Sequence, residues 1–267
     1  MIDNYFLQLI IAFVPALIYI SIIYLRTNRL IDLQKALAFF FFGFCSILFL
    51  IAIQILCPSI SYINYLDQNL EPTFFSYLFF YFIQVGFTEE LSKFTMFFIG
   101  LWLLKKKNRP NTLFSYMFYS CIVGASFGMI ENFVYFIRSS KLELTTENSL
   151  IVLMIERSSY PIILHMTTGL IAGYFYALST LFKKWVVKIG LVLIGIGFAS
   201  LIHGFYNYQL KFFELIEFYS VDVTTAIILI SSLYMCYAMA NELASRDKVY
   251  EKLISFKWLM NMIFKKQ

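Results

Sequence analysis

The chain has 267 residues, 60% hydrophobic, 20% aromatic and only 14% charged, with a mean hydropathy of +0.75 and a formal net charge of +5. A soluble domain carries about 25% charge, so no water-soluble fold of this size could hide so much apolar surface. The positive balance falls in short clusters between apolar runs, the pattern of cytoplasmic loops, and gives no reason to invoke nucleic acid. Cys45, Cys57, Cys121 and Cys236 show no paired spacing and suggest neither a disulfide framework nor a thiolate metal site.

Seven apolar runs long enough to cross a bilayer as helices lie at residues 5–25, 36–57, 74–104, 112–137, 158–180, 189–210 and 222–244. The first follows Met-Ile-Asp-Asn without a basic leader or small-residue cleavage site, and is expected to be retained as a span. After it come Arg26, Arg29 and Lys35; after the second, Asp67 and Glu71; after the third, Lys105, Lys106, Lys107 and Arg109. The third run reads as one long helix, because two crossings would be very short and would throw that basic cluster outside. A mixed segment at 138–156 connects the fourth and fifth runs, followed by Lys183, Lys184 and Lys188, then Glu214 and Glu217, and a basic tail ending Lys265-Lys266.

With seven crossings every basic cluster falls on one side, which puts the N-terminus outside and the C-terminus in the cytoplasm. The expected fold class is therefore all-α, a polytopic transmembrane bundle of about seven spans. It forms a single membrane-embedded domain over 1–267, with residues 245–267 a basic amphipathic tail on the inner leaflet. Phe (31) and Tyr (19) outnumber Gly (11) and Pro (5), which predicts an interior packed by rings rather than by small-residue seams.

Ionisable side chains stand inside these runs where lipid would want none: Glu89, Glu90 and Lys93 on the third, Glu131 on the fourth, His165 on the fifth and His203 on the sixth. The charged ones together oppose insertion by on the order of 10 kcal/mol unless they meet inside the bundle. Counted from the cytoplasmic ends, Glu89, Glu131, His165, His203 and Asn207 sit roughly 21 to 29 Å up, in one layer of the outer half. Glu89 and Lys93 share a face at i,i+4 and are expected to pair, leaving Glu90 as the extra charge. Glu131 is followed by Asn132, with Gly128 near enough for a close approach; Pro161 precedes His165 by four residues; His203 and Asn207 share one face.

Blander readings exist for each: a self-satisfied ion pair, a snorkelling glutamate, histidines serving only as interhelical hydrogen-bond partners. Taken together, two carboxylates and two imidazoles in a water-restricted cavity are the parts of a hydrolytic site, in which a carboxylate takes the proton of water. His165, His203 and Glu131 are a ligand set that suits catalytic Zn²⁺, although the absence of His-Glu-x-x-His means that the sequence does not demand a metal. Gly-x-Ser-x-Gly, a Gly-Asp pair and a placed nucleophilic cysteine are all lacking, which disfavours serine, aspartyl and cysteine mechanisms.

The four segments Glu89-Glu90-Leu-Ser-Lys93, Phe127-Gly-Met-Ile-Glu131-Asn132, His165-Met-Thr-Thr-Gly169 and His203-Gly-Phe-Tyr-Asn207 resemble, in order and helix placement, the motifs of the PrsW family of intramembrane proteases. That family is related to the CAAX prenyl protease and bacteriocin-processing group. The resemblance spans residues 75–210 and implies Glu89, Glu90, Glu131, His165 and His203 as catalytic residues, with Lys93, Asn132 and Asn207 in support. It further implies hydrolysis of a single-span, membrane-anchored protein, such as an anti-sigma factor, near the outer half of a bacterial plasma membrane. The family's last motif usually ends in Asp, whereas this chain has Asn207. An ion- or proton-coupled transporter using the same groups as a relay, or a catalytically silent signalling or immunity relative, stand as the alternatives.

Overall fold

A computed structural model of the chain describes residues 5–26, 31–56, 79–104, 110, 112–140, 147–215 and 221–246. Asp67, Glu71, the cluster at 105–109, Glu217, Cys57 and the tail after Arg246 lie outside the described residues. In a solvent without hydrogen-bonding partners the backbone must satisfy itself within each segment. Among the described residues the chain does so with seven helices and no strand.

In chain order these are α1 (Tyr5–Arg26), α2 (Leu33–Leu56), α3 (a π-helical segment Phe80–Phe87 running into an α-helix Thr88–Leu103), α4 (Leu113–Ser140), α5 (Glu147–Thr180), α6 (Trp185–Leu215) and α7 (Val221–Arg246). Six are long and apolar enough to cross a membrane. The other is α3, divided between two helical forms and carrying three ionisable residues in its α segment.

α4 and α5 form the centre: 83% and 72% of their most apolar stretches are buried, against 17–28% for α1, α2, α6 and α7. The outer helices turn Phe6, Leu48, Leu56, Trp185 and Ile230 outward, as a lipid-facing surface requires. Asp32 starts α2 by accepting the backbone N–H of Gln34 (2.9 Å) and of Lys35 (3.3 Å), while its own N–H donates to the Tyr119 hydroxyl of α4 (3.1 Å).

Rings fill much of the interior, as composition implied: Phe39 stacks on Tyr119 at 4.9 Å and meets Phe97 at 5.6 Å. The expectation that small-residue seams would be missing is corrected at α4–α5, the most extensive interface in the bundle. A Cβ on Gly124 would come to 2.1 Å from the His165 carbonyl oxygen, and one on Gly128 to 2.8 Å from His165 Cδ2. Few glycines suffice, because Gly124, Gly128, Gly169 and Gly173 all lie where α4 and α5 meet.

Two local features depart from the sequence expectation. The mixed segment at 138–156 is not simply a connection, since α5 begins at Glu147 and its first turns carry Arg157 into the bundle. The π segment of α3 ends just before the paired glutamates, and Thr88 bridges the change by donating its hydroxyl to the Gln84 carbonyl at 2.5 Å.

Candidate active site

Four helices supply the site: α3 brings Glu89, Glu90 and Lys93; α4 Glu131 and Asn132; α5 Arg157 and His165; α6 His203 and Asn207. α3 and α6 approach closely because Gly86 and Gly204 face each other's backbones, a Cβ on Gly86 lying 2.7 Å from the Ser200 carbonyl oxygen. One turn along α3 from this contact, Glu90 and Glu89 come within 2.7 and 3.5 Å of His203 across the interface.

The pairing on α3 differs from the expected one. Lys93 Nζ donates to Glu90 Oε1 at 2.5 Å, not to Glu89, and also lies 3.0 Å from His165 Nδ1. Glu90 and Lys93 are 2% and 3% exposed, and the same Glu90 oxygen lies 2.7 Å from His203 Nδ1. The i,i+3 partner wins because it is the one directed into the bundle, where two donors meet it; Glu89, one residue earlier, points to the adjoining cavity. The extra carboxylate is therefore Glu89 rather than Glu90.

From Lys93 the contacts continue. His165 Nε2 lies 2.6 Å from Glu131 Oε2, and Glu131 Oε1 accepts from Arg157 Nη2 at 3.1 Å. An ammonium has donors only, so His165 Nδ1 accepts from Lys93 and its proton resides on Nε2, donated to Glu131. On His203 the proton faces the Glu90 carboxylate from Nδ1, which leaves the Nε2 lone pair turned toward Glu89 Oε2 at 3.5 Å. The two imidazoles meet edge to face with centroids 5.0 Å apart. One continuous chain of side chains thus runs from Arg157 to Glu89, and Glu89 Oε2 at its end is buried without a hydrogen-bond partner among the described residues.

Glu89, Glu131, Arg157, His165, His203 and Asn207 line one cavity of about 530 Å³, together with Pro161 and the polar side chains of Gln54, Gln84, Tyr135 and Arg138. Asn132 does not face it: its Nδ2 donates to the Arg157 carbonyl at 2.6 Å, tying α4 to α5. Glu131 is held between two partners and does not reach for a membrane surface. Every residue singled out in the sequence thus lies in this cluster or supports it.

Arg157 escaped the sequence reading because it fell between the mixed segment ending at residue 156 and the apolar run beginning at residue 158. The signal was present: Arg157, Pro161 and His165 are spaced i, i+4, i+8, one stripe on one face of a helix. A buried glutamate on the neighbouring helix also needed a cation.

Glu89, His165 and His203 each offer a ligand atom within 4.8 Å of the others. The carboxylate in this trio is Glu89, whereas the sequence pointed to Glu131, which is engaged by Arg157. Two nitrogens and one oxygen are the donor types of catalytic zinc centres. His203 already has the form of a ligand oriented by a second carboxylate, whereas His165 would have to exchange one of its two hydrogen bonds.

The sequence model of the PrsW-protease family, described as intramembrane metalloproteases, matches residues 32–249. No curated protein and no solved structure matches the chain. The family match extends beyond the four motifs to take in α2 and α7, so it accounts for the helices that enclose the site as well as for those that build it. A multi-pass helical chain with a Glu/His cluster buried among its helices, matched along most of its length, belongs to the PrsW family of intramembrane metalloproteases.

Proposed function

We propose that this chain is an intramembrane endopeptidase of the bacterial plasma membrane, hydrolysing a peptide bond of a single-span, membrane-anchored protein, of the anti-sigma-factor kind, near the outer half of the bilayer. The observation that carries this reading is the state of Glu89: it lines a cavity shared with both histidines, and its buried Oε2 accepts no hydrogen bond from the described residues.

In this reading water enters the cavity and gives a proton to Glu89 as its oxygen attacks the substrate carbonyl carbon. The carbonyl oxygen gains the negative charge, the C–N bond breaks, and the proton on Glu89 passes to the departing amine. Glu90 fixes His203 and, with Lys93, sets the tautomer of His165; neither Glu90 oxygen needs to touch the substrate. A Zn²⁺ held by Glu89, His165 and His203 would lower the pKa of a water and polarise the carbonyl, with Glu89 then serving as its ligand in place of the base. Asn207 lines the cavity as a neutral group able to donate and accept, a role that needs no aspartate charge.

With the N-terminus outside, as the basic clusters imply, the glutamates and histidines lie in the outer half of the bilayer. The test is reconstitution in liposomes with single-span peptides and mass spectrometry of the products. Fragments cut at positions in or just outside the outer half support the reading. Uptake of a solute that depends on Glu89, with no peptide product, overturns it.

A further inference from the structure

We infer that Arg157 is a catalytic residue, the group that binds the carbonyl oxygen of the scissile amide. This rests on the hydrolytic reading above and adds to it a partner for the oxygen that Glu89 cannot serve.

Arg157 is fixed on three sides. Its Nη2 donates to Glu131 Oε1 at 3.1 Å, its Cζ lies 3.5 Å from the centre of the Tyr135 ring, and its own carbonyl accepts from Asn132 Nδ2 at 2.6 Å. A guanidinium carries five N–H donors in a rigid plane, and among the described residues only Glu131 accepts from it. Nε is buried and has no acceptor. An arginine serving only to neutralise Glu131 would be expected to use two nitrogens on the carboxylate, since the bidentate fork is the stronger contact. Here a single nitrogen is used and the rest of the fork is left over.

Each end of this network thus carries a polar atom that no described side chain uses. The chain of contacts that begins at Arg157 ends at Glu89 Oε2, and both residues line the same cavity. An amide undergoing attack needs a base for the water proton and donors for the oxygen that becomes an anion. Lys93 cannot supply the donors, being committed to Glu90 and His165. Arg138 also lines the cavity but is exposed, seven residues along α4 from Glu131, whereas Arg157 is two hydrogen bonds from His165. A pinned donor requires no reorganisation as charge develops, which is the condition for effective anion stabilisation.

The test measures kcat and KM for a dye-labelled single-span peptide that the wild-type chain cleaves in liposomes, comparing wild type with Arg157→Gln, Arg157→Lys, Glu131→Gln, Glu89→Gln and the double variant Glu131→Gln/Arg157→Gln. Arg157→Gln should lower kcat about 100-fold or more with KM changed little. Arg157→Lys keeps a cation beside Glu131 and so guards against misfolding, yet it should still lose at least about 10-fold. Added guanidinium ion should restore part of the activity of Arg157→Ala. In the double variant Arg157→Gln should still cost about 10-fold beyond Glu131→Gln; no further loss there would reduce Arg157 to a residue that acts only through Glu131. Full activity of Arg157→Gln while Glu89→Gln is inactive overturns this inference alone. Cleavage by Glu89→Gln at the wild-type rate overturns the hydrolytic reading itself.

Discussion

Lys93 is bonded to Glu90, three residues before it, at 2.5 Å, and not to Glu89, four residues before it. That choice divides two adjacent carboxylates into different roles. Glu90 is locked between an ammonium and an imidazole, whereas Glu89 lines the cavity and has one buried oxygen without a partner among the described residues.

The two glutamates should therefore respond differently to the same substitution. Glu90→Gln removes the charge that balances a buried ammonium, and breaking such a pair costs about 3–5 kcal/mol. Glu89→Gln removes no hydrogen bond and should change stability by about 1 kcal/mol or less. Unfolding curves of the purified variants in the same detergent check this. Equal destabilisation by both would contradict the assignment.

The glycine beneath His165 gives a second expectation. A Cβ at Gly128 would lie 2.8 Å from His165 Cδ2, so Gly128→Ala forces the ring to move or the helices to part. The cost should be about 1–3 kcal/mol, typical of overpacking, and activity should fall further than stability because the His165–Glu131 contact at 2.6 Å is disturbed. Parallel stability and cleavage measurements distinguish this from general loosening.

Much of this could be read from the residues. The apolar runs placed the helices because a helix satisfies every backbone group within one segment in lipid, and charges inside those runs stood out because each is costly unless paired. Glu131, His165 and His203 were found in that way and do converge. What escaped notice depended on packing. Which of two neighbouring glutamates meets Lys93 is decided by the position of α6, fixed by the Gly86–Gly204 contact, and helical spacing alone favours the wrong one. Arg157 was missed because its charge resembles that of a loop until α5 is seen to extend back to Glu147. The π segment before Glu89 has no sequence signal of comparable strength.

Asn132, although hidden from the cavity, should prove indispensable. Its donation to the Arg157 carbonyl at 2.6 Å closes the α4–α5 contact beside the cation. Asn132→Ala should cost about 1–3 kcal/mol, and Asn132→Asp should be at least as damaging, because an ionised carboxylate offers no donor to a carbonyl. Thermal unfolding of the two variants decides it.

Metal dependence separates the two candidate ligand sets. If the trio within 4.8 Å holds the ion, His203→Ala and Glu89→Gln should lower the zinc content of the purified protein by at least about 10-fold, while Glu131→Gln should retain it. Element analysis after dialysis gives the result. Loss of metal in Glu131→Gln with retention in Glu89→Gln would reverse the assignment of the carboxylate.

If Glu89 activates water in the cavity lined by α3, α4, α5 and α6, its loss must show in the turnover of Glu89→Gln. Measured beside wild type in the same bilayer on the same single-span peptide, with both proteins unfolding at the same temperature, the variant should be slower by roughly 100- to 10,000-fold. A Glu89→Gln protein that cuts the peptide as fast as wild type would contradict the account.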